Sequence, residues 1–498
     1  MWSHVLATRA RDENGGRVKR QRRRWGRSGI AAAVVGACAA LTLSGCSDTV
    51  DGRAVSVLDD PWRVGGLPVT DGPTGPVERA LAPIGTVQNT DGGAIDRLAL
   101  LSINDIQDYW KQNYAGFTGS FAPVDTLISY GSKNPTGMTI CGVNTYQYVN
   151  AFYCYGRNLI AWDRGVLLPA VKDYFGDMSV TAALAHEYGH AVEDMARLVT
   201  KSTPMLVAEQ QADCFTGAYL RWVAEGKSSR FTLNTADGLD EILAGLITLR
   251  DPLLGPHDKA IVGEAHGTAL DRISALQLGF DTAVGRCAAI DADEITQRRG
   301  DMPMSLQREL TGAVQTGEVA ITKATLATLV EGLNATFHPA RPPTLAYNDA
   351  TCAAAPAAYC PATNTIGVDL PALQHLAVAA DELEDRLLPQ GDNTALSVVM
   401  SRYMLALQHQ RGLDLASATT ALRTACLTGV GQRSMFAPHG TRLRLTAGDV
   451  DEAVTGLLMN GLAASDVGGA TVPAGFTRIQ AFRAGLTGDA ERCYQRFP

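Results

Sequence analysis

Two histidines with a glutamate beside the first, His186-Glu187-Tyr188-Gly189-His190, have the residue types and the spacing to hold one metal ion next to a base. Residues four apart stand on nearly the same face of an α-helix, so both imidazoles can aim a ring nitrogen at one point. Glu187 falls beside that point, where it would take a proton from a metal-activated water attacking a carbonyl. The expected cofactor is one zinc ion, which in hydrolases takes three protein ligands and keeps a fourth position open. Glu209 is the expected third ligand, within the run Val207-Ala208-Glu209-Gln210-Gln211-Ala212-Asp213-Cys214, which reads as a second helix starting near Pro204. Asp213, one turn further on, shares a face with Glu209 and is expected to accept the outer N–H of a ligating histidine and so fix its tautomer.

This pairing of a His-Glu-x-Gly-His helix with a Glu-x-Gln-Ala-Asp-Cys helix resembles a family of neutral zinc metallopeptidases. Cys141 and Phe152-Tyr153-Cys154 upstream, and Ala265-His266-Gly267-Thr268 with Asp271-Arg272 downstream, are similar too, so the resemblance spans residues 96–290. It implies a zincin fold, endopeptidase chemistry and the gluzincin arrangement with Glu209 as third ligand. The metzincin pattern fails, because Glu193 and Ala196 stand where it needs glycine and histidine. The resemblance also makes His266 the catalytic donor expected near the developing oxyanion, although Ala265 replaces the family's threonine.

Residues 1–45 carry a basic cluster, Arg17 to Arg27, ahead of a short apolar run over 30–43 and the tetrapeptide Leu43-Ser44-Gly45-Cys46. This is similar to a bacterial lipoprotein signal peptide, too short for a comfortable membrane span. It implies that Cys46 becomes the lipidated N-terminus and that the chain is lipid-anchored to the cell membrane on its extracytoplasmic face. A short spanning anchor is the competing reading, with the same location. Removing the signal leaves 34 basic and 49 acidic residues. So acidic a chain has no footprint for neutralising phosphates, which argues against nucleic acid as a partner. A phosphate loop is also excluded, since Arg221 occupies the first glycine position ahead of Gly226-Lys227-Ser228. Ten cysteines, less Cys38 and Cys46, leave eight, an even set for disulfides in an oxidising compartment. Their close pairs lack Cys-x-x-Cys spacing, which disfavours a thiolate zinc site.

The second half repeats the first without its chemistry. Asp213-Cys214-Phe215-Thr216-Gly217 returns as Ala425-Cys426-Leu427-Thr428-Gly429, Phe152-Tyr153-Cys154 as Ala358-Tyr359-Cys360, and Arg272-Ile273 through Cys287 as Arg478-Ile479 through Cys493. Ala421, Ala425 and Val472 stand at the counterparts of Glu209, Asp213 and His266, and the segment 397–410 matches the zinc helix but lacks its His-Glu-x-x-His pattern. Equivalent cysteines should form equivalent bonds: Cys141 with Cys154, Cys352 with Cys360, Cys214 with Cys287, and Cys426 with Cys493.

The expected fold is α+β and helix-rich, with a tether over 46–95, a zincin-like peptidase domain over 96–290 and a degenerate copy over 305–498. Apolar periodicity predicts helices over 182–197, 207–223, 239–249, 376–388 and 450–462. The run 159–162 is the candidate edge strand for pairing with an extended substrate, with a plain core strand as the competing reading. The expected activity is hydrolysis of peptide bonds in proteins or peptides, cell-wall peptides among them. The alternative is a non-catalytic binding or assembly lipoprotein that keeps a structural zinc. The second half is expected to regulate the peptidase or recruit its substrate, and in the alternative to offer a surface to an envelope protein partner.

Overall fold

The apolar spacing around the two histidines falls, in the computed structural model of the chain, in a helical stretch of 30 residues, Leu167–Ala196, that breaks at Gly176, where φ is 79°. The structure describes residues 56–256, 266–282, 284–309, 311–347, 352, 356–380, 388–436 and 443–498. The signal-like segment and Cys46 lie outside them. Among the described residues no helix is long and apolar enough to cross a membrane.

The architecture is helix-rich with small sheets, an α+β arrangement. The long helices of the first half are α1 (Ala94–Asn113), α2 (Leu167–Ala196), α3 (Met205–Ala224), α4 (Asp237–Thr248) and α5 (Ala269–Asp281). Beside α2 lies a three-stranded sheet in the order Thr126–Tyr130, Leu159–Asp163, Ala151–Cys154, the first pair parallel and the second antiparallel. The run 159–162 is therefore the central strand, hydrogen-bonded on both sides, and has no free edge for a substrate. Burial of Ile160, Ala161 and Trp162 accounts for its unbroken apolar character. The edge nearest the histidines is Ala151–Cys154, whose Tyr153 reaches α2 through its backbone N–H.

Helix α3 lies close against both α2 and α5. A Cβ at Gly217 would collide with the Leu276 carbonyl, and one at Gly279 with the Cys214 carbonyl, so this pair of glycines lets the α3 and α5 backbones touch. The Cys214–Cys287 disulfide ties α3 to the chain just beyond α5. Thr268 caps α5, and Asp271 returns the bond to the Thr268 N–H in a capping box.

The second half has the same order of parts. A sheet of Thr344–Tyr347, Thr365–Val368 and Ala357–Cys360 repeats the parallel and antiparallel pairings, with its last strand ending on Cys360 as the earlier one ends on Cys154. Helices Asp392–Gln410, Ala418–Arg433, Asp449–Met459 and Gly475–Leu486 follow. Gly429 and Gly485 allow the same close backbone contact, against the Phe482 and Cys426 carbonyls. All four disulfides form: Cys141–Cys154, Cys214–Cys287, Cys352–Cys360 and Cys426–Cys493.

The halves share one compact unit and meet through reciprocal carboxylate contacts. Asp240 of α4 accepts the Gly475 N–H at the start of Gly475–Leu486 (2.9 Å). Asp451 of Asp449–Met459 accepts the Ala269 and Leu270 N–H groups at the start of α5 (3.1 and 3.3 Å). Each carboxylate also faces an arginine, Asp240 with Arg478 at 3.6 Å and Asp451 with Arg250 at 3.5 Å. Between them the Phe280 and Phe476 rings pack at 5.2 Å.

Two further sequence expectations differ from the structure. The described part of the stretch read as a tether is packed onto the body: Gly75–Pro76 pairs with Phe231–Thr232, Thr70 bonds Thr235, and Val64 is fully buried. Its Gly and Pro residues serve in turns and short paired strands rather than in a free linker. The periodicity over 376–388 does not carry a helix through its described residues, because the helix there runs Leu370–Leu376 and closes on Ala377.

Candidate metal centre

Helix α2 presents His186 and His190 on the face that meets α3, and α3 presents Glu209 and Asp213 in return. The close approach depends on Gly189, where a Cβ would stand 2.8 Å from the Ala212 Cα and 3.0 Å from its Cβ. The Gly189→Ala protein is expected to bind metal at least tenfold more weakly and to lose about 1–3 kcal/mol of stability, because the helices must part. Calorimetric metal titration and thermal unfolding check this.

His186 Nε2 lies 3.1 Å from Glu209 Oε2, and His190 Nε2 lies 3.5 Å from Glu209 Oε1. One donor atom from each of the three residues lies within 4.8 Å of the other two, so the group could hold a metal ion. Ligand bonds of about 2.0–2.1 Å around a tetrahedral ion give ligand-to-ligand edges of about 3.4 Å, and the observed separations fit that size.

The outer nitrogens are occupied. His186 Nδ1 faces Asp213 Oδ1 at 2.8 Å, and His190 Nδ1 faces Glu193 Oε2 at 3.0 Å. With Nδ1–H donated to its carboxylate, each ring would turn Nε2 inward as the nitrogen that binds a metal once it is deprotonated. Asp213 is gripped by Arg272, whose Nε and Nη2 donate to its two oxygens at 2.9 and 2.8 Å. Tyr155 donates to Glu193 at 2.7 Å. Glu193 and Tyr155 were missed as supports for His190. The signal for Glu193 was present in the sequence, since it follows His190 by three residues on the same helix. Tyr155 reaches the site only through the fold of the strand before it.

Electrostatics follow from this crowding. Burial would lower His186, but Asp213 and Glu209 override it and push the imidazole up to about 9. Burial would raise Glu209, yet His266, His190 and His186 hold it well below the usual carboxylate range. Asp213 is opposed by burial as well and lowered by Arg272 and His186. Burial pushes the Glu187 carboxyl up, and the two histidines only moderate this.

Glu187 points to the side of the donor group. Its Oε2 accepts the Tyr153 N–H at 3.0 Å, and the side chain lines a cavity of about 90 Å³ with His186, His266, Leu167, Val171 and Leu246. His266 Nε2 comes to 3.6 Å from Glu209 Oε2. Asp251 holds the loop that carries it, accepting the His266 and Gly267 N–H groups at 2.9 and 2.7 Å. The structure thus brings His186, Glu187, His190, Glu209, Asp213 and His266 to one place.

In the second half the matching place is filled. Tyr359 bonds His409 as Tyr153 bonds Asp194, a register that puts Ser401, Arg402 and Leu405 where the first half has His186, Glu187 and His190. The buried Arg402 guanidinium spends its donors on the Ala357 carbonyl, Ser465 Oγ and the Leu462 carbonyl.

No protein-family model matches the chain, and no curated protein or solved structure is significantly similar to it. The site's own geometry carries the functional reading.

Proposed function

We propose that the chain is a zinc metallopeptidase of the gluzincin type that hydrolyses peptide bonds in proteins or peptides, exported and anchored to the membrane through a lipidated Cys46. The observation that carries this is the convergence of His186 Nε2, His190 Nε2 and Glu209 on one point, with Glu187 alongside at the mouth of a partly apolar cavity. The donor set, two imidazoles and a carboxylate, suits zinc. When bound, the metal acidifies water and polarises the scissile carbonyl. Glu187 takes the proton from the attacking water and hands it to the leaving amine, and burial, which pushes its carboxyl up, makes it a stronger base for that exchange. His266, the most exposed of the three imidazoles at 29 %, is placed to donate to the carbonyl oxygen as charge develops on it. The apolar lining from Leu167, Val171, Ile242 and Leu246 favours a small aliphatic side chain next to the cleaved bond.

The mature chain, purified with its disulfides intact, is expected to carry one zinc and to cleave a mixed peptide library beside Val, Ile or Leu. Stripping the zinc should abolish cleavage, and adding one equivalent back should restore it. A zinc-loaded chain inert on the whole library would overturn the peptidase reading in favour of a binding lipoprotein with a structural zinc.

A further inference from the structure

Where the edge strand Ala151–Cys154 ends, the chain crosses α2 as a short strap, Tyr153 to Gly156, anchored at several points. The Tyr153 N–H donates to Glu187 Oε2 at 3.0 Å, and its hydroxyl donates to Asp194 Oδ2 at 2.9 Å. The Gly156 N–H donates to the same Asp194 oxygen at 2.7 Å, and Cys154 between them is bonded to Cys141. Tyr155 is the residue of this strap that reaches one of the metal-donor side chains. Its hydroxyl donates to Glu193 Oε2 at 2.7 Å and stands 3.0 Å from His190 Nδ1.

The two imidazoles are backed unequally. Asp213, behind His186, has both of its oxygens gripped by Arg272. Glu193, behind His190, is fully buried and is bonded through Oε2, while its Oε1 is shielded from solvent and no donor among the described residues reaches it. A carboxylate held by the imidazole alone could swing with it, so the orientation of that ring depends on a second, independent donor. The Tyr155 hydroxyl is that donor.

The second half keeps the strap and lacks this residue. Tyr359 bonds His409 as Tyr153 bonds Asp194, and Cys360 is bonded to Cys352 as Cys154 is to Cys141. In that register Pro361 stands for Tyr155, Gln408 for Glu193 and Leu405 for His190. Gln408 donates to Thr424 and accepts from Arg423 instead. The anchors of the strap are therefore present in both halves, whereas the tyrosine, the glutamate and the imidazole occur together in one and are absent together from the other. Packing of the strap accounts for the anchors. Tyr155 and Glu193 are present only where there is a ring to hold.

We propose that Tyr155 is a positioning residue of the metal centre, whose hydroxyl fixes Glu193 and, through it, turns His190 Nε2 to the point shared with His186 and Glu209. This rests on the reading of that point as a zinc site. Tyr155 is 45 % exposed, so its side chain can be changed without opening the core. Its contribution is to how firmly zinc is held rather than to whether the chain folds.

The test uses the whole mature chain with its disulfides intact, loaded with zinc or with cobalt. Tyr155→Phe, which removes a single oxygen atom, is expected to hold zinc about 10–100-fold more weakly, seen as faster release to a chelator. The visible spectrum of the cobalt-loaded variant should shift, and its thermal midpoint should fall with zinc bound but not once the metal is removed. Glu193→Gln should also release zinc faster, and adding Tyr155→Phe to it should bring no further acceleration, because the tyrosine acts through the glutamate. Zinc release and a cobalt spectrum equal to wild type in Tyr155→Phe would overturn the proposal. A midpoint lowered equally with and without metal, or effects that add in the double variant, would overturn it too. In each of these cases the wild type still holds zinc and the zinc reading stands, whereas a wild type that takes up neither metal would remove that reading and this proposal with it.

Discussion

Glu187→Gln is expected to lower kcat/KM for peptide hydrolysis by about 10²–10⁴-fold, the contribution typical of a positioned general base. Zinc content should stay at one per chain, because Glu187 lies beside the donor group formed by His186, His190 and Glu209 and is not part of it. Stability should hardly change. The bond that Glu187 Oε2 receives from the Tyr153 N–H requires only an acceptor, and the glutamine carbonyl supplies one in the same shape. What glutamine lacks is the ability to take a proton. Initial rates, metal analysis and a thermal midpoint, measured on the same preparation, distinguish loss of the base from loss of the site. Turnover equal to wild type would remove Glu187 from the mechanism.

Arg272→Met is expected to have the largest effect on stability. Arg272 is 3 % exposed and Asp213 fully buried, and the guanidinium grips both carboxylate oxygens. Exposed ion pairs contribute about 0–1 kcal/mol, but breaking a buried one by removing a single partner costs about 3–5 kcal/mol, since the other charge stays behind. Arg272 also donates to the Leu249 carbonyl at 2.7 Å, so α4 would lose a tie to α5. With Asp213 held only by His186, that ring is less firmly oriented, and zinc affinity should fall about 10–100-fold. Urea unfolding followed by zinc titration reads both effects. A variant as stable as wild type would show that the pair contributes nothing to the fold.

The second half offers a natural comparison. Arg478 occupies the position of Arg272, but Ala425 has replaced the aspartate. There the guanidinium turns to the carbonyls of Leu457, Leu458, Val472 and Pro473 instead. The arginine persists because backbone acceptors satisfy it, while the tautomer-fixing carboxylate has gone along with the imidazole it would orient.

Much of the metal centre was legible in the chain because each half of it is local. His186 and His190 are one helical turn apart, as are Glu209 and Asp213, and helical geometry alone puts each pair on one face. The disulfides were legible for a related reason, since repetition of the cysteine spacing limits which pairings treat both halves alike. Packing decided the rest. The strand 159–163 could not be placed at the centre or edge of its sheet from its own residues, because apolar continuity reports burial and not hydrogen-bonding neighbours. Tyr155 joins His190, and Asp251 the His266 loop, only because segments distant in sequence are folded together. The carboxylate group of Glu318, Asp392 and Glu452, gathered in the second half, shows the limit most plainly. Its members are spread over 318–452, and no period links them. A turn of helix is encoded by neighbours, whereas a group assembled from three chain segments exists only once hydrophobic burial has brought those segments together.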